Sequence, residues 1–314
     1  MITLKNVSFG YIKQPLLLID VNATFNGEGV FLFGQKGAGK TSFLELLCGM
    51  QDLYVGTINV FDGLPKDKTK QITYLPSNVV ALKNKTVIQN LQYACDAINK
   101  KYDCINLQDE FIKEYGNIKI KKLSAYNKAI FALKRAQIKQ AKLLLIDVNL
   151  DGFNSQEIEK YSLILNKIIS DKNKVSIISI NCDDYKKLQN VNKKCEICYI
   201  FASKMQKFIN FDNFANNLNY MGMAEYLPLN KTSALVKNSV SGYVICLQNK
   251  TIKINDKFIK NIEMYFDEVT DTSNIVIYHK IDIDIANLSD EQFNKLVDSG
   301  EILLFDSIST CRLI

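Results

Sequence analysis

Gly34-Gln35-Lys36-Gly37-Ala38-Gly39-Lys40-Thr41 is the segment of this chain whose residue types and spacing point most directly to chemistry. It follows the apolar run Val30–Phe33 and opens the helix-like stretch 42–50, which is the strand-to-helix setting of a phosphate-binding loop. Glycines there let backbone N–H groups crowd round phosphate oxygens, and a helix N-terminus adds positive dipole. Lys40 supplies a mobile charge and the Thr41 hydroxyl a ligand for Mg²⁺. The expected ligand is a nucleoside triphosphate.

The elements that must position this loop follow from patterning. Residues 2–4 and 21–25 alternate like strands, 26–29 (Asn-Gly-Glu-Gly) read as a turn, and 56–60 repeat the alternation. Residues 86–142 read mainly as helix, Leu143–Ile146 as a strand, 155–170 as a helix and Val175–Ile180 as an apolar strand. Strands alternating with helices predict a parallel α/β core. After about residue 228 the texture changes to short alternating strands such as 243–246 and 251–254, which predicts a small β domain. With 314 residues, two domains are expected.

Composition narrows the class. An apolar fraction of 47% is that of a globular protein, and 39 Lys and Arg against 33 Asp and Glu leave a modest net charge of +6. No basic helix or aromatic-basic platform stands out, so no nucleic-acid partner is expected. No apolar run approaches the ~18 residues of a membrane span and no signal sequence is evident, so the chain is expected in the cytosol. The eight cysteines lack the spacing of a disulfide scaffold and are expected to be reduced. Cys195-Glu196-Ile197-Cys198 forms a C-x-x-C, but it lies in a strand-like run with no second pair and no nearby histidine, and is read as core. The only histidine, His279, sits in the strand-like stretch 275–280 and is read as structural.

In order along the chain these pieces resemble the ATP-binding subunit of an ABC transporter. Tyr11 falls where that family places an aromatic ring under the adenine, and Ile72–Ser77 resembles the segment that ends in the Q-loop glutamine. Leu123-Ser124-Ala125-Tyr126-Asn127 resembles the LSGGQ signature, Leu143–Asp147 the Walker B strand, and Ile178–Asn181 the strand that ends in the switch histidine. Residues 213–216, 221–222 and 304–314 resemble the ATPase subunits of maltose-type sugar importers, which carry a C-terminal OB-like regulatory β domain. Residues 278–283 sit where those have an Arg-Pro-Glu-Asp segment, and Thr86-Val87 with Asn90-Leu91 resembles the region that meets the transmembrane subunits.

The resemblance implies an α/β P-loop NTPase core with a helical subdomain at 1–212, a linker at 213–227 and the OB-like domain at 228–314. It implies ATP and Mg²⁺ as cofactors. Tyr11, Gly34, Gly37, Gly39, Lys40, Thr41, Ser42 and Ser124 would hold the nucleotide, and Thr41 with Asp147 the metal. It further implies transmembrane permease subunits and a second ATPase subunit as partners, in a homo- or heterodimer, at the inner face of the cell membrane.

The departures fall on chemistry. The residue after Asp147, a glutamate that polarises the attacking water in the family, is Val148; the switch histidine is Asn181; the Q-loop glutamine is Ser77. A missing general base typically costs about 10²- to 10⁴-fold in rate. The two signature glycines are Ala125 and Tyr126, and the tyrosine is expected to crowd a partner's γ-phosphate. No residue is therefore assigned a catalytic role, and the expectation is a subunit that binds Mg-ATP but is impaired in hydrolysis. The alternatives are an active ATPase whose base comes from elsewhere, such as Asp151 or a partner, and an ATP-dependent interaction protein with no membrane partner.

Overall fold

The computed structural model describes residues 1–26, 29–98, 105–188, 192–227, 229–239, 242–247, 250–255, 272–306 and 312. The chain folds as two compact units, Met1–Asn213 and Phe214–Ile314.

In the first unit a six-stranded sheet is built from β3 (Val30–Gly34), β5 (Ile72–Leu75), β6 (Leu143–Asp147), β7 (Val175–Ser179), β8 (Glu196–Phe201) and β9 (Lys204–Phe208). The order is β5-β6-β7-β3-β8-β9, all parallel except for the final β8/β9 pair. All five residues of β3 and all five of β7 are buried, as a strand covered on both faces requires. A separate antiparallel sheet, β2-β1-β4, joins β1 (Ile2–Phe9), β2 (Leu18–Phe25) and β4 (Val55–Val60). Ile2, Leu4 and Phe25 of that sheet share one core with Phe43, Leu44 and Leu47 of helix α1 (Lys40–Leu47) and with Leu143, Leu145 and Ile177 of the parallel sheet.

The stretch read as mainly helical divides into α2 (Val87–Asp96), α3 (Glu110–Tyr115) and α4 (Ala125–Lys139), with a short 3₁₀ turn at Ile120–Lys122. Thr86 and Gln89 close a capping box on α2, and Asn154 and Glu157 one on α5 (Ser155–Ile169). Val87, Leu91, Ile112, Leu123 and Phe131 form a satellite core under these helices. The short helix α6 (Cys182–Lys187) follows β7.

Residues 213–227 are not bare linker: α7 (Phe211–Asn216) and α8 (Met221–Ala224) occupy much of the segment, and Phe214, Leu218, Met223 and Tyr226 are buried. Five strands follow, β10 (Leu229–Ser239), β11 (Gly242–Leu247), β12 (Lys250–Lys253), β13 (Thr272–Lys280) and β14 (Ile302–Asp306). They pair antiparallel in the order β12-β11-β10-β13-β14. To the strands expected after residue 228 the structure adds a helix, α9 (Asp290–Asp298), whose Phe293 and Val297 enter the core formed by Ile245, Ile252, Ile277 and Leu304. His279 is buried in β13 with Nδ1 2.9 Å from the Lys280 carbonyl.

Of the sequence segments singled out above, Gly27, Glu28, 307–311 and 313–314 lie outside the described residues. Cys48, Cys182, Cys195, Cys198 and Cys246 are thiols outside any disulfide. Cys95 is disulfide-bonded, so the expectation of reduced cysteines fails at that position. Among the described residues no helix is long and apolar enough to cross a membrane.

Candidate nucleotide-binding site

The phosphate loop leaves the carboxyl end of β3 and enters α1, at the edge of the sheet where open α/β folds bind ligands. Gly37 and Gly39 hold φ values of 85° and 96°, a left-handed conformation that strains any side-chain-bearing residue. Gly39 is the N-cap of α1, makes no side-chain cap, and no acidic residue lies in the first turn. The orphan N–H groups of that turn thus face no competing anion of their own helix. This is the arrangement a phosphate group fits.

Lys40 Nζ folds back on the loop and donates to the carbonyls of Gly34 (2.7 Å) and Gln35 (2.9 Å). Burial lowers its pKa, partly offset by the Asp147 carboxylate. Thr41 Oγ1 donates to Asp147 Oδ2 at 2.7 Å, joining the first turn of α1 to the end of β6. Thr41 and Asp147 come together as expected, and one hydroxyl plus one carboxylate suits Mg²⁺, which keeps several waters and takes its remaining oxygens from phosphates. Among the described residues no cluster of three or more His, Cys, Asp or Glu could hold a metal without such help.

Tyr11 is brought to the same helix, but its contacts go beyond stacking. Its hydroxyl lies 2.9 Å from Ser42 Oγ and donates to Glu45 Oε2 at 3.4 Å, while its ring meets Phe9 edge-on at 5.2 Å. Ser42 is buried and engaged by that tyrosine. Ser124 is separate from this cluster in its bonding: its hydroxyl caps α4 by accepting from the Asn127 N–H at 3.1 Å.

The three departures have distinct surroundings. Val148 is 5% exposed and its N–H donates to the Ser179 carbonyl, so it is tied to the end of β7 as packing. Ser77 is exposed on the loop after β5. Asn181 caps α6: its Oδ1 accepts from the Asp184 N–H at 2.8 Å and its Nδ2 donates to Asp184 Oδ2 at 2.9 Å.

Asp184 itself was not singled out from sequence. Its carboxylate is 3% exposed and also accepts from the Leu150 N–H (3.3 Å) and from Lys187 Nζ (2.9 Å), clamping the loop after Asp147 to α6. The Asn-x-x-Asp spacing at a helix start is the signal that identifies it. Tyr126 turns its ring edge-on to Phe153 at 5.5 Å, and Phe153 meets Tyr161 in the same way. The tyrosine is thereby packed on its own chain's loop after β6.

A parallel sheet with a phosphate loop at the end of β3 and a strand-end aspartate two strands away, on β6, defines a P-loop NTPase. The family model described as ABC transporter matches residues 18–148. The cell division ATP-binding protein FtsE of Mycobacterium tuberculosis is 30% identical over 177 residues, covering 50% of this chain and 77% of FtsE. The chain belongs to the ABC transporter ATP-binding family. The molybdenum import ATP-binding protein ModC of Photobacterium profundum is 30% identical over 181 residues, 51% of this chain and 49% of ModC, so the chain spans about half the length of that relative. The ATP-binding cassette MJ0796, solved as a dimer bound to ADP and Pi, superposes with a TM-score of 0.54 at 18% identity, covering 67% of this chain and 99% of that one. At that identity the likeness shows the fold alone.

Proposed function

We propose that this chain is a nucleotide-holding ATPase subunit of a membrane transport complex, one that binds Mg-ATP and turns it over slowly or not at all. The observation that carries the reading is the contrast between two neighbouring residues. Asp147 is in place beside Thr41, whereas Val148, one residue on, is a buried aliphatic side chain with no lone pair to polarise water. Gly34, Gly37, Gly39 and Lys40 would hold the phosphates, Tyr11 and Ser42 the rest of the nucleotide, and Ser124 a phosphate of the partner's site. The Mg²⁺ ion, held by Thr41 and Asp147, would neutralise phosphate charge.

Binding without turnover suffices for a structural or regulatory role, because a ligand stabilises whichever state it binds. A second ATPase chain and permease subunits at the inner membrane face are part of the proposal. Sugar import rests on the segments at 213–222, 278–283 and 304–314, since ModC is named for molybdenum import and FtsE for cell division. The C-terminal unit is proposed as the regulatory domain.

The deciding experiment loads the purified protein with labelled Mg-ATP, desalts it and follows the label over time beside Lys40→Ala. Retention as intact ATP, lost in the variant, supports the reading. Release as ADP at a rate that Lys40→Ala abolishes overturns it and makes the chain an active ATPase.

A further inference from the structure

Tyr11, Ser42 and Glu45 share two protons beside the phosphate loop, and chemistry fixes their order. Tyr11 lies on the loop that joins β1 to β2, and its hydroxyl is 2.9 Å from Ser42 Oγ in the first turn of α1. The same hydroxyl is 3.4 Å from Oε2 of Glu45, one turn further along that helix. A carboxylate only accepts, so the tyrosine proton goes to Glu45 and the serine proton to the tyrosine oxygen. The reverse order would leave the proton of a serine that is 6% exposed without an acceptor among the described residues. Gln51 Nε2 donates to the same Glu45 oxygen at 3.1 Å and steadies the acceptor end of the relay.

This relay spends the one proton that Ser42 has to give. Phosphate oxygens accept and do not donate, so Ser42 bonds a phosphate only after letting go of Tyr11. Ser42 shares its helical turn with Lys40 and Thr41, directly after Gly39, and is the one hydroxyl of that turn tied to a residue outside the parallel sheet and its loop. The tyrosine that closes over it is 37% exposed and belongs to neither flanking strand, so the two hydroxyl bonds and the Phe9 contact are what hold its ring against α1.

We propose that Tyr11 and Glu45 form a latch on the candidate nucleotide site, which keeps the Ser42 hydroxyl from phosphate until a nucleotide displaces the tyrosine hydroxyl. The latch presupposes that the site takes a nucleotide, and it gives Glu45 a role there: the carboxylate sets the direction of the relay and thereby opposes binding. Tyr11 acts on phosphate through Ser42 and is a positioning residue in this respect. Its ring remains available to a base, so the latch lowers affinity for nucleoside phosphates and leaves affinity for the nucleoside alone untouched.

Equilibrium dialysis of the full chain against labelled Mg-ATP, ADP and adenosine tests the latch, with Tyr11→Phe as the central variant because it keeps the ring and removes only the hydroxyl. Tyr11→Phe should bind ATP and ADP about two- to tenfold more tightly than wild type, the factor one net hydrogen bond is worth, with no gain for adenosine. Adding Ser42→Ala to Tyr11→Phe should abolish the gain. Glu45→Ala lets the tyrosine proton turn to Ser42 and frees the serine proton, so its gain in ATP affinity should be larger in wild type than in Tyr11→Phe. Equal gains in both backgrounds would assign Glu45 to charge repulsion alone and overturn the relay. ATP binding by wild type that Tyr11→Phe leaves equal or weaker, or a gain shared by adenosine, overturns the latch and spares the nucleotide reading. Absence of ATP binding in wild type and variants alike overturns both.

Discussion

Thr41 Oγ1 and Asp147 Oδ2, 106 residues apart in sequence, meet at 2.7 Å across the mouth of the phosphate loop. The bond joins the first turn of α1 to the end of β6. It holds both residues where they would support a cation bound to phosphate.

Asp147→Asn keeps a hydrogen-bond acceptor for Thr41 but removes the negative charge. The Mg²⁺ concentration needed for half-maximal ATP retention should rise by about 10- to 100-fold, the usual effect of altering a metal's support. A Mg²⁺ titration of labelled-ATP retention reads this directly. An unchanged midpoint would mean that Asp147 does not support the metal.

Asp184→Ala removes a buried carboxylate that accepts from Asn181, Leu150 and Lys187. Leaving the Asn181 and Leu150 donors unpaired should lower the unfolding free energy of the first unit by about 1–3 kcal/mol, the cost of stranding buried donors, while the half-exposed Lys187 turns to water. Urea unfolding of wild type and variant measures it. A loss below about 1 kcal/mol, the range of an exposed ion pair, would show that the loop after β6 does not depend on this clamp.

The edge-on pair of Tyr126 and Phe153 should show a coupling of about 0.5–1.5 kcal/mol beyond simple burial in a double-mutant cycle to leucine. Additive single-variant losses would indicate that Tyr126 is free to face a partner's nucleotide, as the signature position suggests.

Alkali should weaken the fold. Burial pushes the Cys198 thiol from its ordinary 9.0 up to about 12, and burial likewise raises Tyr161 and Tyr185. Each group holds its proton longer in the folded state, so the contribution is complete below the unfolded pKa and is lost as pH climbs through the folded one. For Cys198 the window runs from about pH 9 to about pH 12. Chemical unfolding at stepped pH should show falling stability there, and iodoacetamide at pH 8 should label Cys198 only in denaturant. Rapid labelling of the native protein would contradict the core reading of the C-x-x-C pair.

Much of the candidate nucleotide site was legible in the chain because its chemistry is local. Gly37, Gly39, Lys40 and Thr41 are contiguous, and the conformation they need is a property of glycine and of a helix start. Asp147 was legible because Leu143–Asp147 resembles the Walker B strand of the ABC transporter family. The helices at 211–216 and 221–224 were not, being short; the one at 290–298 does carry a local signal, the Ser289/Gln292 capping box with Phe293, Leu296 and Val297 at helical spacing, hidden among neighbouring strands.

The sequence by itself determined the phosphate loop, the α/β succession and the identity of Val148, Asn181 and Ser77 at positions where the family carries chemistry. Only the tertiary structure decided that Tyr11 reaches Ser42, that Asp184 holds the Leu150 amide and that Tyr126 rests on Phe153. Backbone conformation follows from adjacent residues, whereas these contacts depend on strand register and helix placement, which are settled when distant segments pack.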